Sequence, residues 1–238
     1  MLDNLQKFNR LVKRNNLQNL GFLNLMPDEI KKTEVKSLVL LGPNEPNFWD
    51  EFSRSPERLD ELPDPLDRWT KRVLSSISAE LNAKVFFPFD GPPYWPFYSW
   101  ALRSGESFQS PINFLVHKRV GLFVSFRGAI GFQDTISGLN FQNDDPPCDN
   151  CERPCIRACP VEALTVSNYD DNRCRDFVVK SEEDSCSTGC LVRRSCPVGH
   201  GLRRPEQSKF HMEAMIKQME SVSETLGPKF KEAGLLSF

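Results

Sequence analysis

Apolar residues recur at steps of three and four near the start of the chain, at Leu5, Phe8, Leu11 and Val12. The spacing predicts an amphipathic helix over residues 3–17 with its charges on the solvated face, and Gly21 reads as the chain reversal that follows. The run Val35 to Leu41 is short, branched and apolar and ends at Gly42-Pro43, which predicts a buried strand. Asp64-Pro65 offers an N-cap and a first-turn proline, and Leu66, Trp69, Val73, Ile77 and Leu81 follow at helical steps. A second strand is expected over Lys84 to Phe89, leading into Asp90-Gly91-Pro92-Pro93. A third and fourth are expected within Arg119 to Phe132, around Gly121 and Gly128. Helix, strand, helix, strand and a late strand pair together imply an α+β sheet layered with helices. Beyond Cys148 the pattern becomes turn-rich. It carries a helical stretch at Asp171 to Lys180 and a closing helix from Pro205 to about Val222, with Met212, Met215, Ile216 and Met219 along one side.

Composition narrows the class. With 238 residues, 39% of them hydrophobic, the chain can bury an ordinary core. A formal net charge of -2 gives no global attraction for nucleic acid or an anionic membrane. The first twenty residues lack the uninterrupted apolar core of a signal peptide, and the apolar stretch from Arg119 to Phe132 is broken by Arg127, so a cytoplasmic location without a membrane partner is expected.

In a reducing compartment, eight thiols point to metal ligation or redox chemistry before a disulfide framework. All eight fall between Cys148 and Cys196. The proline-bearing stretch Asn143-Asp144-Asp145-Pro146-Pro147 reads as a linker, so three parts are expected: an α+β cofactor- or substrate-binding domain (1–146), a cysteine-bearing domain (147–204), and a C-terminal helix and tail (205–238).

The first cysteine run is Cys148-x2-Cys151-x3-Cys155-x3-Cys159-Pro160, and the second is Cys174-x11-Cys186-x3-Cys190-x5-Cys196-Pro197. A [4Fe–4S] cubane needs four thiolates converging on its iron atoms. In two-cluster ferredoxins the cysteine before the proline crosses to serve the other cluster. Applied to this chain, that crossing gives one cluster on Cys148, Cys151, Cys155 and Cys196 and another on Cys159, Cys174, Cys186 and Cys190, with none left over. Two zinc sites of four thiolates each, or a disulfide scaffold, are the rival uses of the same residues.

The segment 85–100 (VFFPFDGPPYWPFYSW) is half aromatic. It is suited either to the core or to the wall of a pocket for a planar ring system, with Phe89, Tyr94, Trp95, Phe97 and Trp100 as the candidate cofactor contacts. His117, His200 and His211 are dispersed, and Arg103 and Arg127 read as charges with partners in the fold. No G-x-G-x-x-G fingerprint supports a dinucleotide site.

Leu115-Val116-His117-Lys118 leading to Gly121-Leu122-Phe123-Val124, the cysteine run ending CPVEAL, Asp171-Asn172-Arg173-Cys174, and the closing Cys196-Pro197 resemble the corresponding elements of epoxyqueuosine reductases and, more distantly, of reductive dehalogenases. The resemblance implies a nitroreductase-like α/β sandwich domain followed by a small bacterial-ferredoxin-like two-cluster domain. It also implies that Cys174 ligates the second cluster, and it sets Asp90 roughly where that family carries a proton-donating aspartate. By the same likeness, the expected activity is an iron–sulfur oxidoreductase relaying single electrons to a cobalamin, a flavin or a small-molecule substrate, with a ferredoxin or flavodoxin as electron donor. A non-catalytic electron carrier that docks a partner protein is the alternative. The chain departs from the pattern by one extra residue between Cys151 and Cys155, by a longer Cys190–Cys196 interval, and by lacking a Gly-Trp-x-Gly-Lys-Asn loop before Gly121, which argues against activity on transfer RNA.

Overall fold

The structure is a computed structural model that describes residues 2–136, 145–180, 186–202 and 204–226. Helix α1 (Leu2–Arg14) leads into strand β1 (Leu17–Asn24), then α2 (Pro27–Thr33), β2 (Ser37–Pro43), α3 (Asn47–Ser53), α4 (Pro56–Leu59), α5 (Pro65–Glu80) and β3 (Lys84–Phe86). After these come α6 (Phe97–Arg103), the hairpin β4 (Ser107–Gln109) and β5 (Leu115–His117), and β6 (Gly128–Phe132). The cysteine-bearing segment holds α7 (Asp171–Lys180), α8 (Leu191–Arg194) and two single 3-10 turns, and α9 (Pro205–Leu226) closes the described chain. The fold is therefore mixed α and β, as the periodicities imply. Among the described residues no helix is long and apolar enough to cross a membrane.

The principal sheet has the order β1-β2-β6-β3 and is antiparallel throughout. Alternation along β2 explains why that run is apolar at every step. Val39 and Leu41 face a core formed with α1, α3 and α5, whereas Leu38 and Leu40 face a second core with Trp100 and Phe97 of α6. Trp69 of α5 fills the first core, edge-on to Phe48 at 5.3 Å.

Several expectations are corrected here. Helix α1 stops at Arg14, and Gly21 does not reverse the chain. The reversal falls at Asn16, whose φ of 48° is left-handed, and Gly21 lies inside β1 at a register irregularity that its freedom from a Cβ tolerates. Asp64 precedes α5 but makes no side-chain cap, because its own backbone is left-handed. The strand at Lys84 ends at Phe86, and of the two strands expected between Arg119 and Phe132 only β6 forms. Gly121 instead closes a tight turn, exchanging backbone hydrogen bonds with His117. The linker expected at Asn143 to Pro147 lies partly outside the described residues, as does the side chain of Met219.

Arg103 has a structural partner: its guanidinium donates to Glu29 at 2.8 Å, and the Trp100 indole N–H donates to the same carboxylate at 2.9 Å. Burial alone would raise the Glu29 pKa, but the Met26 amide, Arg103 and Trp100 together hold it below the ordinary value. A depressed carboxylate stabilises the fold above its unfolded pKa and loses that contribution as pH falls through the folded value. Glu29→Gln is accordingly expected to cost about 1–2 kcal/mol at pH 7. Urea unfolding at a series of pH values should show the gap from wild type closing below about pH 4; a gap independent of pH would assign the loss to packing.

Candidate metal centre

The cysteine segment is built from turns that local chemistry dictates. Cys148 and Cys151 sit in a turn where the Arg153 amide donates to Cys151 Sγ at 3.3 Å. A 3-10 turn over Pro154–Arg157 then places Cys155. Asp170 caps α7, its Oδ1 accepting the Arg173 amide at 2.9 Å, and the first turns of that helix carry Cys174. Cys186 opens a second 3-10 turn, Cys190 precedes α8, and Cys196 follows it.

These segments bring the eight free thiols into two groups. Cys148, Cys151, Cys155 and Cys196 line one small cavity of about 20 Å³. Cys159, Cys174, Cys186 and Cys190 line another of about 470 Å³. The prolyl cysteines Cys159 and Cys196 have each left their neighbours in sequence for the opposite group. Electrostatics divides them in the same way. The Cys148 thiol is pushed up by burial and then by Cys155, Cys151 and Cys196, whereas Cys174 is pushed up to about 11 by burial and by Cys190, Cys186 and Cys159, against a hydrogen bond from the Tyr169 hydroxyl.

Thiols whose ionisation is opposed by burial and by one another are suited to a cationic centre that reverses both effects, since a coordinating metal deprotonates its thiols. Among the described residues no group of three or more His, Cys, Asp or Glu is arranged to hold a metal ion. Ser110 adds a second sign of fit. Its hydroxyl is buried without a partner and belongs to the lining of the first cavity, so it is placed to donate to a sulfur there. Hydrogen bonds to cluster sulfur favour the reduced, more negative state. With a cluster bound in the first cavity, Ser110→Ala would lower the reduction potential of that centre and leave the other in place. Spectroelectrochemistry would check this, and an unchanged pair of potentials would remove Ser110 from that role.

The groups are not confined to the segment after Pro146. Ile112, Val116 and Leu122, from the hairpin and the turn at Gly121, share one apolar cluster with Cys155, Leu164, Val192 and Cys196. Met212 of α9 packs with Val178 and Cys186, with Met215 and Ile216 beside it. Near its start, α9 is tied to the sheet layer, where Arg204 donates to both oxygens of Asp50 at 2.6 and 2.7 Å and Phe210 packs on Trp49 and Phe52.

The other residues singled out from the sequence lie elsewhere. Asp90 pairs with Lys71 at 2.8 Å on the surface. Phe97 and Trp100 are buried in the second core, Trp95 stacks on Trp100 at 6.0 Å, Phe89 stacks on Phe87 at 5.3 Å, and Tyr94 is exposed. None of these lines either cysteine cavity. From that aromatic segment the large cavity takes Tyr98, which faces away from the side of α6 that buries Phe97, Trp100 and Ala101. Sequence reasoning also missed Phe114, Phe123, Phe126, Tyr169 and Arg193 as lining. Arg127 is largely withdrawn from solvent, with 11% of its side chain exposed, and paired with Asp67, and desolvation lowers its pKa. His117 closes β5 in full burial, which takes its pKa down to about 4.

No family model matches the chain, and no curated protein matches it.

Proposed function

We propose that this chain is an iron–sulfur oxidoreductase holding two [4Fe–4S] clusters, one on Cys148, Cys151, Cys155 and Cys196 and the other on Cys159, Cys174, Cys186 and Cys190. The division of eight thiols into two groups of four, each with its own cavity and with the two prolyl cysteines exchanged, carries the reading. A tetrahedral zinc site would draw four sulfurs to about 3.8 Å of one another, given Zn–S bonds of about 2.3 Å. A cubane holds its four thiolates farther apart, and metal content separates the two readings. The fold class, the exchanged cysteines and the resemblance support a nitroreductase-like layer joined to a ferredoxin-like module.

When bound, the clusters supply one-electron oxidation and reduction. The chain's own part is position and environment. The second group lines the large cavity, whereas the first lines a much smaller one with Val116, Leu122, Pro147 and Pro154. The second group is therefore the one that faces a bound molecule, and the first is suited to receive electrons from a donor protein such as a ferredoxin or flavodoxin. Phe114, Phe177 and Met212 keep water from the cavity wall, and the Tyr169 hydroxyl holds Cys174 by a hydrogen bond. A volume of about 470 Å³ falls within the range of small-molecule sites. It suits a flavin-sized ring better than a cobalamin, whose corrin and side chains need the cavity to open further. The same cavity favours a reductase over a carrier that only docks a partner, since a carrier has no use for internal space beside its cluster.

The experiment is anaerobic purification with metal analysis and electron paramagnetic resonance of the reduced protein. Roughly eight irons per chain with signals from two centres is the expected result. Two zinc atoms and no iron would overturn the proposal.

A further inference from the structure

The two cysteine cavities differ in a way that ligation does not require. Four thiols line about 20 Å³ at the first and share about 470 Å³ with other residues at the second, so the second space extends beyond its thiols. Its walls are aromatic and aliphatic, from Tyr98, Phe114, Phe123, Phe126, Phe177 and Met212. Among the described residues that line it there is no aspartate or glutamate, and the one lysine or arginine is Arg193. The Arg193 guanidinium lies 5.1 Å over the Phe114 ring, half-buried, and no described carboxylate pairs with it. A guanidinium held against an aromatic face keeps its edge donors free for an acid group.

We infer that the cavity binds an anionic aromatic molecule, with the apolar ring body between Phe114, Phe123 and Phe126 and the acid group, a carboxylate, sulfonate or phosphate, on Arg193. Bulk burial of the ring supplies contact area, and Arg193, in a largely apolar wall that also carries Asn113, Ser125, Ser208 and His211, supplies orientation and selects against neutral and cationic molecules. As the proposed site of reduction this rests on the two-cluster reading, but the binding itself does not.

The test uses the full-length holoprotein and two probes with the same ring body, anilinonaphthalene sulfonate and neutral N-phenylnaphthylamine, with affinities read by calorimetry and iron counted in every sample. A second pair, flavin mononucleotide and riboflavin, asks whether a phosphate is accepted as the acid group. The sulfonate is expected to bind at least about tenfold more tightly than its neutral analogue. Arg193→Gln should remove that preference while leaving the neutral probe unchanged, and Arg193→Lys should restore part of it. Arg193-dependent binding of flavin mononucleotide would extend the same anchor to a phosphate. An Arg193→Gln variant that binds the sulfonate as well as wild type, or loses both probes equally, or a wild type that binds neither, would overturn the inference. Arg193-dependent binding in a protein that lacks iron would leave it standing and remove the electron-transfer reading instead.

Discussion

Cys196→Ala is expected to halve the iron content, from roughly eight to roughly four per chain, and to remove the centre whose other cysteines lie more than forty residues earlier. In sequence Cys196 belongs with Cys186 and Cys190. In space it lines the first cavity with Cys148, Cys151 and Cys155, and it is buried with 8% exposure. Its loss leaves three thiols where a cubane needs four, whereas Cys159, Cys174, Cys186 and Cys190 stay complete around the other cavity. Cys159→Ala is the converse, because it is flanked by Cys155 yet should abolish the second centre. Iron per chain and the resonance of the reduced protein separate the cases: the two variants should retain different signals. If both variants retained the same signal, or if Cys196→Ala spared the centre on Cys148, Cys151 and Cys155, the crossed assignment would be wrong.

Gly121→Ala should produce the largest loss of stability from a single added methyl group, about 2–4 kcal/mol. Gly121 has φ +60°, and a Cβ there would stand 2.1 Å from the Val198 carbonyl oxygen and 3.0 Å from Cys196 Sγ. Val198 follows Cys196 and Pro197, so its carbonyl cannot withdraw without moving a cysteine of the first group. The turn at Gly121 must back away instead, and with it Leu122, which seals that cavity. Gly201→Ala provides the comparison, since Gly201 also has positive φ, at +78°, but nothing lies within 4 Å of its added Cβ. That variant should cost only the left-handed strain of about 1 kcal/mol. Urea unfolding measures both, and iron retention on exposure to air should fall further for Gly121→Ala. Equal losses in the two variants would mean that close approach at Gly121 has no cost.

Elements long enough to show their period were legible in the sequence. The α5 and α9 patterns run over several turns, and β2 lies between two apolar cores and so carries apolar residues on both of its faces. Several other elements of three to eight residues, such as α2, α3, α4, β4 and β5, were not legible, because they hold too few turns to establish a period. Strand β1 is the clearest case, since the irregularity between Asn19 and Gly21 interrupts the alternation that would have marked it. The aromatic segment was ambiguous for a related reason: its rings do not follow one period, and the fold sends Phe97 and Trp100 to the core, Tyr94 to solvent and Tyr98 to the cavity.

By itself the sequence determined the mixed class of the fold, the helices with sustained periodicity, and the grouping of all eight cysteines in one stretch, because these depend on local order along the chain. Tertiary structure alone decided that the sheet layer, the turn at Gly121 and α9 share their packing with the cysteine turns. It alone gave one thiol group a small cavity and the other a large, mostly apolar cavity with a single arginine. That cavity is assembled from residues more than a hundred positions apart, from Tyr98 to Met215, and such a surface leaves no period or spacing in the chain because only close packing of distant segments creates it.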